Sequence, residues 1–164
     1  MSKLLKVILT VGFVSILGAC STTDTTDSNK VANVDVTGQA MGYDPINDPK
    51  SSVYGKRSIY FDFDSYKVKP EYQSVVDAHA KYLRDNKDKK ANIVIQGNTD
   101  ERGTTEYNLA LGQKRSEAVK KALSLLGVDA SQVEAVSFGK EKPKVVGSNE
   151  AAWKENRRAD IVYK

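Results

Sequence analysis

The sequence predicts an α/β fold, a two-layer sandwich of order β-α-β-α-β-β with both helices on one face of a mixed sheet. Three observations carry this prediction. Short β-branched and aromatic runs alternate with segments of helical apolar spacing. Two further strand-like runs then follow one another near the end of the chain. All of this regular pattern lies beyond residue 55, behind a stretch too polar to form a core.

Each element has a local reason. Ser58-Ile59-Tyr60-Phe61-Asp62-Phe63 is a β-branched and aromatic run closed by polar residues, which predicts a first strand over 58–63. Pro70 suits the first turn of a helix, and Tyr72, Val75, Val76, His79 and Leu83 recur at helical spacing up to the polar stop at 85–90. Ile93-Val94-Ile95 reads as a short buried strand ending at Gly97. A second helix starts near Thr105, turns Leu111, Ala118, Val119, Ala122, Leu123 and Leu126 inward, and is capped by Gly127. Residues 133–138 and 159–163 supply the last two strands. The connection between them, 139–156, is long enough to be functional, with a short helix expected over 149–155.

The N-terminal segment has a different logic. Lys3 and Lys6 precede an apolar run over 7–17, and Leu17-Gly18-Ala19-Cys20 ends it with small residues before the only cysteine of the chain. Such a run is too short to span a bilayer. It reads as a signal peptide over 1–19, removed to leave Cys20 as a lipid-bearing first residue; the bland alternative is a stray thiol behind an ordinary signal peptide. Ser21, not Asp, after the lipid site fits sorting to the outer membrane. Residues 20–55 are then a lipidated flexible tether, about 30–35 Å end to end and about 115 Å at full stretch, and 56–164 form the domain. With Cys20 committed to lipid, no thiol remains for a disulfide in that domain.

Charge narrows the partner. Removal of Lys3 and Lys6 lowers the formal net charge from +4 to +2. So small an excess, with a single Trp and no interleaving of aromatic and basic residues, does not make a surface that tracks nucleic acid.

The chemistry gathers in one loop and one helix. Gly97-Asn98-Thr99-Asp100-Glu101-Arg102-Gly103 follows a buried strand and opens a helix, so backbone amides and the positive helix end face whatever sits there. Arg115 lies on the inward stripe of that helix, four residues after Leu111 and four before Val119. A guanidinium facing a core needs a partner. Two readings stay open: an Arg that snorkels out or pairs with a structural carboxylate, and an Arg whose planar fork awaits a carboxylate ligand.

Asn108-x-x-Leu111-x-x-x-Arg115-x-x-x-Val119-x-x-x-Leu123, placed after Gly97-x-Thr99-Asp100, resembles the peptidoglycan-binding signature of the OmpA-like domain family, and the resemblance runs from about Ser58 to Tyr163. Tyr60 to Ser65, Asp100-Glu101-Arg102-Gly103-Thr104, Gly139-Lys140-Glu141-Lys142-Pro143 and Asn156-Arg157-Arg158 strengthen it. The resemblance implies peptidoglycan as partner, bound through the meso-diaminopimelate of its stem peptide. It implies Asp100 as acceptor of the ligand ammonium and Arg115 as holder of its carboxylate. Asn108 and Leu111 shape the site, Asp62 and Thr99 border it, and Arg157 reaches it from the last loop. For Asn108 a surface amide, and for Arg157 a solvated charge, are the competing readings. Asn98 stands where the family often has His, which puts in doubt any contact that needs an imidazole. The resemblance also implies attachment to the outer membrane through lipid and docking of the periplasmic Tol proteins TolB and TolA. A module whose main task is to dock the Tol propeller protein is the alternative use. A flagellar stator carries the same domain but needs a membrane helix where this chain has a cleavable signal and Cys20.

Enzymatic chemistry fits poorly. Asp62 and Asp64 alternate on the predicted strand and so face opposite sides, which suits neither a metal site nor a carboxylate dyad. Asp100 and Glu101 are adjacent on a turn and do not oppose each other across a sugar, as glycoside hydrolysis requires. His79, the sole histidine, falls on the apolar stripe of the first helix and reads as a satisfied core histidine. No nucleophile and base pair, metal site or cofactor motif is expected.

Overall fold

The computed structural model describes residues 43–164. The expectations for the signal peptide, for Cys20 and for the tether over 21–42 fall outside the described residues.

Strand β1 (Ser58–Tyr60) leads into helix α1 (Gln73–Asp85), whose entry is a single tight turn at Pro70–Tyr72. Strand β2 (Ile93–Asn98), helix α2 (Thr105–Leu125), strand β3 (Val133–Gly139), the short helix α3 (Glu150–Asn156) and strand β4 (Arg158–Tyr163) follow. The order in the sheet is β1-β4-β2-β3. β4 runs antiparallel to both of its neighbours, and β2 and β3 run parallel. Parallel strands need a long crossover, and α2 supplies it. The predicted mixed sheet and its helices are therefore what the chain forms.

Register places the apolar residues on one face. Ile95 lies opposite Ile161, and Ile59 opposite Ala159, so alternate residues of three strands point the same way. Val76, Ala80 and Leu83 of α1 and Val119 and Leu123 of α2 meet them in one buried cluster. Two glycines set how closely α2 approaches. A Cβ on Gly97 would lie 1.8 Å from the Gly112 carbonyl oxygen, so β2 and α2 touch backbone to backbone.

The ends of α2 have clear causes. The Thr104 side chain accepts from the Tyr107 amide at 3.2 Å as N-cap. At the other end Gly127 takes φ +83°, its amide reaches the Ser124 carbonyl, and the Val128 amide reaches Leu123. That is a Schellman stop with Val128 buried beneath it, as the position of Gly127 predicts.

Two expectations need correction. The first strand ends at Tyr60, not Phe63, because the chain turns at 62–65: the Ser65 amide bonds the Asp62 carbonyl and Asp64 adopts φ +52°. Asp62 and Asp64 consequently sit on a turn and not on opposite faces of a strand. The second correction concerns 43–55, which are not part of a free tether. Ile46 and Val53 are buried, the Gly55 amide bonds the Ile46 carbonyl, and Asp44 forms an ion pair with Arg57 at 2.7 Å. Low average hydrophobicity predicted disorder there, but two well-placed apolar side chains suffice to fasten the segment as a strap.

Candidate functional site

The loop between β2 and α2 is built to a fixed shape. The Thr99 amide bonds the Gly139 carbonyl at 2.8 Å, and the Asn108 side-chain amide donates to the Arg102 carbonyl at 2.9 Å. Asn108 is buried, so it is a loop clamp and not a surface amide. Behind this loop lies a cavity of about 190 Å³. Thr99, Asp100, Asn108, Leu111 and Arg115 all line it, with Phe63 and Tyr107 at its walls. Five of the expected site residues thus converge.

Arg115 has no exposed surface. Its Nε donates to the Ser65 carbonyl at 2.8 Å, Nη1 to the Asn98 carbonyl at 2.8 Å, and Nη2 to the Asp62 carbonyl at 3.2 Å. The guanidinium also lies 5.2 Å from the Phe61 ring centroid. A guanidinium has five N–H groups, so two remain for another acceptor. Burial pulls its pKa down to about 10, and the charge of Asp100 acts in the opposite sense. It remains a cation at neutral pH. Among the described residues no carboxylate forms an ion pair with it within 4.0 Å. The snorkelling and carboxylate-pairing readings therefore both fail: Arg115 pins the 62–65 turn to the end of β2, and among the described residues no carboxylate lies within ion-pair distance of it.

Asp100 is buried as well. Burial raises its pKa, but the hydrogen bonds from Arg102 and Arg157 more than offset that and hold the carboxyl below its ordinary value. Oδ1 accepts from the Arg102 amide and from Arg102 Nε, both at 3.1 Å; Oδ2 accepts from Arg102 Nη2 at 2.7 Å and Arg157 Nη1 at 3.4 Å. Arg157 is a buried buttress and not a solvated charge. It is held by the Phe61 carbonyl at 3.3 Å and by Glu150 at 2.6 Å, and it does not line the cavity. Asp62 takes part only through its carbonyl, because its carboxylate is exposed and pairs with Lys69 at 3.7 Å. The side chain of Asn98 donates to the Gln96 carbonyl and stays out of the cavity.

Other residues of the site escape sequence reasoning. The Arg102 guanidinium lies 4.2 Å from the Phe63 ring centroid and 4.0 Å from that of Trp153. Tyr107 donates its hydroxyl to Asp64 across the mouth. Trp153 comes from α3 in the long connection, whose shape rests on Asn156: its side-chain oxygen accepts from the amides of Lys144 and Val145 at 2.7 and 3.0 Å. The single Trp of the chain in a long loop was the signal available for it.

A buried guanidinium with two uncommitted N–H groups and a carboxylate on the wall of one small cavity suit a zwitterionic ligand end. Residues 60–158 match the OmpA family. The chain is 44% identical to the peptidoglycan-associated lipoprotein of Pasteurella multocida over 163 residues, covering 99% of this chain and 100% of that protein. Its identity to the protein of the same name from Haemophilus influenzae is also 44%, with the same coverage. The crystal structure of the peptidoglycan-associated lipoprotein from Burkholderia pseudomallei is 62% identical, covers 74% of this chain and 100% of its own, and superposes with a TM-score of 0.69. The sheet, the cavity and these likenesses together place the chain in the OmpA family.

Proposed function

We propose that this protein binds peptidoglycan non-covalently, through the meso-diaminopimelate of the stem peptide, and links the cell wall to the outer membrane. The observation that carries the reading is Arg115, a buried cation with two N–H groups to spare and, among the described residues, no carboxylate within ion-pair distance. The ligand's amino acid end offers a carboxylate to Arg115 and an ammonium to Asp100. Names of the relatives support the reading, since they describe association with peptidoglycan and lipidation, not catalysis. The protein is not an enzyme. Lipid on Cys20 supplies the outer-membrane anchor, residues 21–42 the tether, and the domain with its strap the wall-binding body. TolB and TolA are the periplasmic partners that this reading brings with it.

The test pairs a protein change with a ligand change. Asp100→Ala should lower affinity for purified sacculi by about 30-fold or more, because truncating one member of a desolvated charge pair costs about 2–5 kcal/mol. Stem peptides with lysine in place of diaminopimelate lack one carboxylate and should bind wild type at least about tenfold more weakly, since Arg115 is left without its acceptor. Sedimentation with sacculi and calorimetric titration with the two peptides measure these. Unchanged binding by Asp100→Ala, or equal titration by the two peptides, refutes the assignment.

A further inference from the structure

A carboxylate offers about four acceptor positions. On Asp100 four N–H contacts already occupy them, three from Arg102 and one from Arg157. A ligand ammonium can therefore reach Asp100 only by replacing one of them. The two arginines differ in how freely they can leave. Arg157 is 6% exposed at its side chain and is fastened a second and third time by the Phe61 carbonyl and Glu150. The Arg102 side chain is 33% exposed, and among the described residues it has no other hydrogen-bond acceptor and is held besides Asp100 by the Phe63 and Trp153 rings.

From this we infer that Arg102 is a built-in competitor for the ammonium position, a side chain that closes the cavity in the free protein and yields Asp100 to the ligand. The inference rests on the peptidoglycan reading above. Arg102 sets affinity and selectivity together. A ligand that brings only a cation gains at Asp100 what it displaces there. One that also brings a carboxylate gains at Arg115 in addition, and binds. The aromatic pair keeps the displaced guanidinium at hand, since a cation over an aromatic face remains attracted after its carboxylate is gone. Phe63 and Trp153 thus act as a rest for Arg102 when the site is filled.

The chain contains a single tryptophan, and it is the one stacked on Arg102, so its fluorescence reports the position of that guanidinium. The probe is a diaminopimelate-containing stem peptide, titrated calorimetrically and by Trp153 emission into wild type, Arg102→Ala and Arg102→Lys. Arg102→Ala is expected to bind about tenfold tighter or more, the gain of an Asp100 freed from a charge-assisted fork. Arg102→Lys, which keeps the charge but cannot fork, should fall between. Wild-type emission should change on saturation, and the change should vanish in Arg102→Ala. Wild type that binds while Arg102→Ala binds equally or more weakly overturns the competitor and leaves the peptidoglycan reading standing. So does wild-type emission that stays constant through saturation. If wild type does not bind the peptide at all, both fall.

Discussion

Arg115 and His79 are both polar residues at the centre of the fold, and they are satisfied by opposite means. Arg115 stays charged and spends three N–H groups on carbonyls of two separate segments. His79 stays neutral. Its Nε2 lies 2.6 Å from the Lys56 carbonyl, which only accepts, so Nε2 carries the proton and Nδ1 accepts from the Tyr163 hydroxyl at 2.9 Å. Both ring nitrogens are thus used, as a core histidine requires. Burial lowers the His79 pKa from 6.5 to about 4. Between those values the unfolded chain binds the proton and the folded one does not, so stability falls as pH drops from 6.5 towards 4. The full loss is about 3 kcal/mol, with about 2 kcal/mol gone by pH 5. Urea unfolding followed between pH 7 and pH 5 measures it. His79→Gln should lose most of that slope, and a wild-type stability independent of pH over this range would contradict the assignment.

At the scale of elements, the site depends on how near α2 comes to β2. Gly97 and Gly112 permit backbone contact, and Arg115 follows Gly112 within one turn, so the approach places the guanidinium within reach of the Asn98 and Ser65 carbonyls. Gly97→Ala sets a methyl group 1.8 Å from a carbonyl oxygen of the helix backbone, which no side-chain adjustment relieves. The helix must move away. We expect a destabilisation of about 1–3 kcal/mol or more, seen as a lower urea midpoint, and weaker sacculus binding in the fraction that remains folded. Wild-type stability in this variant would mean that the helix tolerates a shift and that close packing does not position Arg115.

For the molecule as a whole, the strap over 43–55 decides where the domain begins. Ile46 and Val53 are 3% and 0% exposed, and burial of each contributes about 1.5–3 kcal/mol before ordering costs are subtracted. The strap also meets His79 through the Lys56 carbonyl that follows it. A chain starting at residue 43 should therefore melt about 5 °C or more above one starting at 56. Equal melting temperatures in calorimetry would return 43–55 to the tether. On the proposed reading the strap matters for reach too, since it would remove those residues from the length of chain between the lipid and the wall.

Much of the architecture was legible in the sequence because it rests on local periodicity. The short apolar run Ile93-Val94-Ile95, helical spacing through Leu111, Val119 and Leu123, and Gly127 as a stop are properties of neighbours along the chain, and they produced the strand and helix order without any distant contact. Arg115 stood out for the same reason, as a charge on an apolar stripe. What only the tertiary structure decided is pairing between segments far apart in sequence. Phe61 and Phe63 have strand-forming side chains, yet a turn held by Arg115 from α2 overrides them at Asp62. Ile46 and Val53 show no period and are buried only because the completed domain offers them a surface. Asp100 meets Arg157 across 57 residues, and Arg102 meets Phe63 and Trp153 from opposite ends of the domain. Propensity and period act within a few residues, whereas charge balance and aromatic stacking depend on which side chains the fold carries to one place.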